Sequence, residues 1–183
     1  PPPWEPTRKK VLYYATNRKI NDSNSIEERF GSDLGSSNSY GSIRVNIPVE
    51  NHTSGNLELK RWWQRRDPKK HFFVESINVL SEEDVIKASL NENDLLLFIH
   101  GYNNTFNDAA LRLAQLSNDI QFPGKSMLYS WPSNGKAAKY PNDETNAAKS
   151  TDSLLKILEK LITSEPQSKI HIIAHSMGNR ILL

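Results

Sequence analysis

Two continuous apolar segments, each followed at once by small residues, constrain the fold of this chain more than any other feature. The first is Asp94-Leu-Leu-Leu-Phe-Ile-His-Gly-Tyr-Asn-Asn104, and the second is Lys169-Ile-His-Ile-Ile-Ala-His-Ser-Met-Gly-Asn-Arg-Ile-Leu-Leu183. An apolar strand without alternation is typical of a parallel sheet covered by helices on both faces. Ligands of such sheets bind beyond the carboxyl ends of the strands. We therefore expect two parallel strands whose following turns lie side by side.

The chain between these segments alternates helical and strand patterns. Thr105 precedes apolar residues at helical spacing, and Asp108 stands at the capping-box position. Three elements are predicted: a helix from Thr105 to about Asn118, a strand at Ser126–Trp131 and an amphipathic helix at Ala147–Ile162. From residue 94 onward the order is strand, helix, strand, helix, strand and helix start. This alternation predicts an α/β fold with a doubly wound, mostly parallel sheet.

The amino-terminal half has weaker patterns. Residues 8–17 form the first predicted strand, and Asn21 to Tyr40, rich in Ser, Asn, Asp and Gly, are predicted to be a long polar loop. Gly41–Pro48 alternates apolar and polar residues, which predicts a half-exposed strand at an antiparallel edge. Residues 71–80 form the next strand and 81–90 a short helix. We interpret 1–183 as one domain, with edge strands and long loops in 1–90 and the parallel core in 91–183.

The second apolar segment ends in a strand, a sharp turn and a helix start, with Ser176 at the apex. Such a turn needs small residues two positions before and two after the serine, and Ala174 and Gly178 meet that need. A serine so exposed can act as a nucleophile when a base takes its proton. The alternative is a small-residue turn that only closes a buried strand.

Three segments together resemble the α/β-hydrolase superfamily and, more narrowly, a bacterial family of uncharacterised α/β-hydrolases: Phe98-Ile-His-Gly-Tyr-Asn-Asn104, Tyr129-Ser-Trp-Pro-Ser133 and Ile173-Ala-His-Ser-Met-Gly-Asn-Arg180. The resemblance implies a serine hydrolase acting on an ester or related acyl bond of a small molecule. Ser176 would be the catalytic nucleophile, and the N–H groups of Met177 and Tyr102 would form the oxyanion hole. It also implies that Leu95–Ile99 lies between Met127–Trp131 and Ile170–Ala174. Six residues would shape the site: His100, Gly101, Trp131, Ala174, His175 and Gly178.

The acid and the histidine of a triad would follow the serine in this superfamily, and we expect them beyond Leu183 or in a complementing chain. His100 belongs to the oxyanion turn, and His175 is expected to point into the flanking packing. His171 is expected to be a satisfied core histidine. His52 and His71 cannot be placed against the serine. We interpret the chain as the amino-terminal part of a longer hydrolase, incomplete at the carboxyl end of its sheet.

A basic aromatic segment supports a different class of function. Residues 57–70 contain Trp62, Trp63 and six basic residues, a combination that can bind single-stranded nucleic acid. It can equally be a surface linker whose tryptophans cover the sheet, and this interpretation is favoured, so no nucleic acid is expected. The competing function is a catalytically inactive α/β-hydrolase-like interaction domain that binds through this segment.

Composition excludes several classes of chemistry. The 183 residues include no cysteine, so disulfides, thiolate nucleophiles and cysteine-containing zinc sites are excluded. We expect no cofactor and no metal. The net charge of +2 does not by itself indicate a nucleic-acid partner. No apolar run reaches the length of a membrane span, and Pro1-Pro-Pro-Trp-Glu-Pro6 does not resemble a signal peptide. A soluble, cytoplasmic protein is favoured, with a processed secreted form as the alternative.

Overall fold

The computed structural model describes residues 7–90, 94–136 and 140–183. The segment Pro1 to Pro6, interpreted above as unlike a signal peptide, lies outside the described residues. The described residues form these elements in chain order: β1 Thr7–Ile20, a 3-10 turn Ile26–Glu28, β2 Phe30–Pro48, β3 Phe73–Leu80, α1 Glu82–Leu90, β4 Leu95–Ile99, α2 Phe106–Asp119, β5 Lys125–Ser130, α3 Tyr140–Ser164, β6 Ile170–Ala174 and α4 Gly178–Leu182.

The strands form one sheet in the order β3-β2-β1-β5-β4-β6. β1, β5, β4 and β6 are parallel, whereas β2 and β3 are antiparallel to their neighbours. Leu97 of β4 pairs with Met127 on one side and with Ile172 on the other. The predicted position of β4 between these two strands is therefore confirmed.

Side chains of β4 alternate between two apolar cores. Leu96 and Phe98 belong to the core that contains α2, whereas Leu95, Leu97 and Ile99 belong to the core that contains α1, α3 and α4. All five side chains are buried. Burial of a side chain of this size contributes roughly 1.5–3 kcal/mol relative to exposure. Because both faces are covered, the strand has no polar position, and the predicted α/β fold with helices on both faces is confirmed.

The predicted polar loop from Asn21 to Tyr40 is wrong in its second half. β2 begins at Phe30, which pairs with Ile20, and Leu34 pairs with Arg18. Register shifts in this part of the ladder let the Gly- and Ser-rich stretch follow β1. Residues of low strand propensity are therefore held in a strand by their backbone partner, because propensity depends strongly on context.

Two further expectations for residues 1–90 need correction. The strand at Gly41–Pro48 is antiparallel, and its alternating side chains Ile43, Val45 and Ile47 are buried as the pattern predicts. It is not at the edge of the sheet, because β3 pairs with its outer side. β1 is not an edge strand either, because it also pairs in parallel with β5. The amino-terminal half therefore supplies an interior strand of the parallel region.

β6 stands at the other end of the strand order. Its Ile172 is 38% exposed, and its His171 is also exposed, with Nε2 3.3 Å from Asp94 Oδ2. The expectation of a core histidine at position 171 is wrong, because that side chain projects from the last strand of the described sheet. An apolar strand in this position presents unpaired backbone groups along one side.

A histidine between two carboxylates fastens the connection after β2 to the end of α2. His52 Nδ1 lies 2.9 Å from Glu58 Oε2, and His52 Nε2 lies 2.5 Å from Asp119 Oδ1. Gly55 N–H donates to Asp119 Oδ2 at 2.7 Å. Partial burial would lower the pKa of His52, but the hydrogen bonds to Glu58 and Asp119 outweigh it and raise that pKa. Partial burial would raise the pKa of Asp119, but the hydrogen bonds to this carboxyl outweigh it and lower the pKa to about 2.

We predict that His52→Gln destabilises the protein more at about pH 5.5 than at about pH 8.5. A histidine whose pKa is raised on folding stabilises the folded state fully below its unfolded pKa, and this contribution is lost as the pH rises through the folded pKa. The carboxylates remain ionised at the lower of these pH values, because folding lowers the pKa of both Asp119 and Glu58. The free energy of unfolding, measured with urea at both pH values, checks this. Asn51→Ala, in the same connection, is the control, and an equal loss for His52→Gln at both pH values would contradict the prediction.

Candidate active site

The turn after β6 holds Ser176 in a left-handed backbone conformation with φ +52°. L-residues adopt this region rarely, at a cost of about 1–2 kcal/mol. Gly178 N–H donates to His175 O at 2.9 Å, which starts α4 directly after the serine. The Asn179 side chain donates to the carbonyl oxygens of Ala174 and Ser176, both at 3.1 Å. These contacts hold an exposed serine at the apex of a strand, turn and helix.

Two glycines let the elements at this turn approach closely. A Cβ on Gly178 would lie 2.7 Å from Ile99 O and 2.8 Å from His100 O, so only glycine fits between α4 and the end of β4. A Cβ on Gly101 would lie 3.0 Å from Ser176 Cβ. The turn after β4 is therefore packed against the serine turn, as the two apolar segments predict.

Buried His100 links the turn after β4 to the end of β5. Its Nδ1–H donates to Gly101 O at 2.8 Å, so Nε2 is the acceptor and lies 3.1 Å from Ser130 Oγ. Its ring stacks on Trp131 at 5.2 Å, and Trp131 Nε1–H donates to His100 O at 2.7 Å. Burial, together with the nearby charge of Arg18, lowers the pKa of His100 to about 3. His100 is therefore neutral near pH 7 and serves to position the turn.

The guanidinium of Arg18, at the end of β1, lies beneath these turns and is 1% exposed. It donates to four oxygen atoms: Ser130 Oγ at 2.8 Å, Gly31 O at 2.9 Å, Ser133 O at 2.9 Å and Asn104 O at 2.8 Å. Burial lowers the pKa of Arg18 to about 9, against the opposing effect of Asp143 and Asp108, so the group remains cationic near pH 7. Arg18 is not among the site residues predicted from the sequence. The available signal was its position just after a predicted strand, at the edge of the sheet where the candidate site lies.

A buried carboxylate, Asp143 of α3, joins the turn after β4 to the turn after β5. Its Oδ2 accepts hydrogen bonds from Ser133 Oγ at 2.5 Å and from Asn103 N–H at 3.3 Å. Its Oδ1 accepts from Asn134 N–H at 2.9 Å. Asp143 is also absent from the predicted site residues, because one acidic residue near the start of a helix has no distinguishing spacing.

Three further predicted site residues lie on the two turns beside Ser176: Met177, Tyr102 and His175. Met177 is buried beside the serine, and Tyr102 is 37% exposed on the turn after β4. His175 is exposed instead of pointing into packing, although a Cβ on Gly101 would lie 2.6 Å from its Nδ1. It therefore lies against the glycine turn at the surface.

His52 and His71 lie away from the serine. α2 begins just after the turn at the carboxyl end of β4, so its last residue, Asp119, and the attached His52 lie toward the amino ends of the parallel strands. His71 lies at the same end of the sheet. The Asn46 side chain donates to the carbonyl oxygen of His71, and Asn46 pairs with Lys9 near the start of β1.

Residues 78–183 match a family of proteins described as "Alpha/beta hydrolase of unknown function (DUF900)". The match covers more than half of the chain, and the chain belongs to this family of α/β-hydrolases. The resemblance given by the His-Gly, Ser-Trp-Pro-Ser and Ala-His-Ser-Met-Gly segments is thereby confirmed at the level of the superfamily.

A curated relative is "Uncharacterized protein alr1448" from Nostoc sp., which is 28% identical over 130 aligned positions. The alignment covers 56% of this chain and 34% of the relative, so the chain spans about a third of the relative's length. No solved structure matches the chain.

Within residues 7–90, 94–136 and 140–183, no group of three or more His, Cys, Asp or Glu side chains could hold a metal ion. No helix in that part of the chain is long and apolar enough to span a membrane.

We predict that Arg18→Met lowers the free energy of unfolding by about 3–5 kcal/mol, because it leaves buried acceptors and the charge of Asp143 without their cation. Urea denaturation measures this loss as a lower midpoint at an unchanged m value. Lys19→Met, at the exposed neighbouring position, is the control and is expected to stay within about 0.5 kcal/mol of the original chain. If the free energy of unfolding falls by the same small amount in both variants, Arg18 does not organise these turns.

Proposed function

We propose that this chain provides the nucleophile and the oxyanion hole of a serine hydrolase that acts on an ester or related acyl bond. The observation that carries the proposal is the left-handed backbone of exposed Ser176, held between β6 and α4 and packed against Gly101. A strained serine at a strand-to-helix turn presents its hydroxyl at the carboxyl edge of an α/β-hydrolase sheet. Backbone strain of this kind persists where the surroundings over-determine it, as they do at functional sites.

In the proposed reaction, Ser176 Oγ attacks the acyl carbon of the substrate, and the alcohol or other leaving group departs from the tetrahedral intermediate. The N–H groups of Met177 and Tyr102 donate to the oxyanion. Removal of one such donor costs about 3–4 kcal/mol of transition-state stabilisation in a well-studied hydrolase. Water then releases the acyl group from the serine by the same chemistry.

The base of the reaction is proposed to come from outside this segment of chain. His100 is neutral, buried and engaged with Gly101 and Ser130. His52 is held by two carboxylates toward the amino ends of the strands. In the superfamily an acid and then a histidine follow the serine, so we propose that residues beyond Leu183, or a complementing chain, supply them.

We predict that a version of the protein that continues beyond Leu183 is labelled at Ser176 by a fluorophosphonate and hydrolyses activated aryl esters. Ser176→Ala removes the attacking oxygen and is expected to abolish both labelling and turnover while the circular dichroism spectrum stays unchanged. Ser164→Ala, at the exposed end of α3, is the matched control and is expected to keep both. A folded protein that is never labelled, with probes of several sizes, would favour an inactive interaction domain.

We predict that the 183-residue chain alone hydrolyses the same esters far more slowly. Without a base, the oxyanion hole and binding leave about 10³ to 10⁴ over the reaction in water in triad enzymes. Initial rates of the two versions at equal concentration measure the difference. Full labelling and turnover by the short chain would show that a histidine within it serves as the base.

A further inference from the structure

The connection between β2 and β3 presents two tryptophans at the tip of a tight turn. Gln64 N–H donates to Arg61 O at 2.9 Å, and Gln64 Oε1 accepts from Arg61 N–H at 2.8 Å. Trp62 and Trp63 are the two central residues of this turn, where Gly, Pro, Asn and Asp usually predominate. They are 87% and 59% exposed, respectively. The expectation that these tryptophans cover the sheet is therefore wrong.

The base of this connection is fastened to the rest of the molecule. Phe72 N–H donates to Glu58 O at 2.8 Å, which joins the chain on the two sides of the turn. The Asn46 side chain of β2 donates to Pro68 O and to His71 O, both at 2.9 Å. The turn therefore projects from a fixed base, and its exposed aromatic surface is a built feature of the fold.

Positive charge surrounds the two rings. Residues 60–70 contain six basic side chains and one acidic side chain, whereas the whole chain has a net charge of only +2. The Arg61 guanidinium lies 5.3 Å from the centre of the Trp63 ring. Three of these cations have carboxylate partners: Arg66 pairs with Glu27 at 2.8 Å, Lys69 with Glu50 at 3.8 Å and Lys70 with Asp67 at 3.5 Å. All three pairs lie at the surface, where such pairs are weak. The segment therefore presents several cations around two exposed aromatic rings, and this combination can bind an anionic surface.

We propose that residues 60–70, the charged part of the basic aromatic segment, form an interfacial anchor that binds the surface of an anionic lipid membrane. Tryptophan rings favour the headgroup level of a bilayer, because one edge is polar and the body is apolar. Clustered Lys and Arg side chains are attracted to anionic headgroups. Binding at an interface grows with both the buried apolar area and this attraction, and the segment supplies both.

The ring geometry favours a membrane over single-stranded nucleic acid. The rings of Trp62 and Trp63 are 5.4 Å apart and nearly perpendicular, at 87°. Successive bases stack on aromatic platforms along a groove that follows the backbone. Two perpendicular rings at a projecting tip cannot both stack on neighbouring parallel bases, whereas both can enter a headgroup layer.

The segment also lies away from the candidate active site. The base of the connection lies where Phe73 pairs with Asn46, which pairs with Lys9 near the start of β1. Ser176 follows the carboxyl end of β6, so it lies at the opposite end of the parallel strands from this base. Binding through residues 60–70 therefore leaves Ser176 accessible, and the proposal does not depend on the hydrolase activity.

The test compares binding to phosphatidylcholine vesicles with and without about 30% phosphatidylglycerol, by co-sedimentation and tryptophan emission. We expect partitioning to be at least about tenfold stronger on anionic vesicles, with a blue shift in emission and weakening by salt. Trp62→Ser with Trp63→Ser is expected to lower partitioning about tenfold, whereas Leu155→Ser, at an exposed apolar position of α3, leaves it unchanged.

Charge reversal gives an independent readout that leaves both tryptophans in place. Arg65→Glu with Lys69→Glu is expected to abolish the preference for anionic vesicles, whereas Lys156→Glu on α3 keeps it. The proposal is overturned if the protein binds both kinds of vesicle equally. It is also overturned if the segment variants and the control variants lose vesicle binding to the same extent. Absence of vesicle binding, combined with salt-sensitive binding of a single-stranded oligonucleotide that the tryptophan variants lose, overturns it in favour of nucleic acid.

Discussion

A guanidinium that is enclosed by protein must find an acceptor for its donors, and this requirement joins one strand and two turns of the molecule. Arg18 donates to carbonyl oxygens at Gly31, Asn104 and Ser133. These oxygens belong to β2, the turn after β4 and the turn after β5. An uncompensated buried charge costs several kcal/mol, so displacement of any one of these segments is opposed by the whole cluster. Asp143 binds the turns after β4 and β5 and supplies a compensating negative charge.

The candidate nucleophile depends on this arrangement through the turn after β4. Arg18 Nε donates to Ser130 Oγ, whose hydroxyl in turn lies against the acceptor nitrogen of His100. His100 donates to Gly101 O, and Gly101 packs against Ser176. A strained backbone conformation at the serine can persist because its neighbours are fixed in this way. The site is thus supported by a polar network beneath it as well as by the apolar sheet.

The sequence predicts the strands and turns that carry the candidate site, because their signals are local. Leu95–Ile99 is a continuous apolar run, and Ile170–Ala174 is apolar except for His171; each is followed by a turn that contains a small residue. Thr105 caps α2 in the expected capping box. Arg18 gives no comparable signal, since an arginine at the end of a strand is usually solvated and only the assembled loops enclose it. The exposure of Trp62 was also unpredictable, because composition does not reveal which side chains a turn directs outward.

The pairing of β1 also bears on how the chain acquires its structure as it leaves the ribosome. β2 follows β1 closely, whereas the contact between Thr16 and Ser130 joins residues 114 positions apart. At about 5–20 residues per second, synthesis of these 114 positions takes roughly 6 to 23 seconds, and during this time the β5 side of β1 has no partner. An open strand edge recruits other chains, and a charged residue on that strand opposes such pairing. We expect Arg18, before it organises any turn, to keep the nascent hairpin from pairing with the wrong strand.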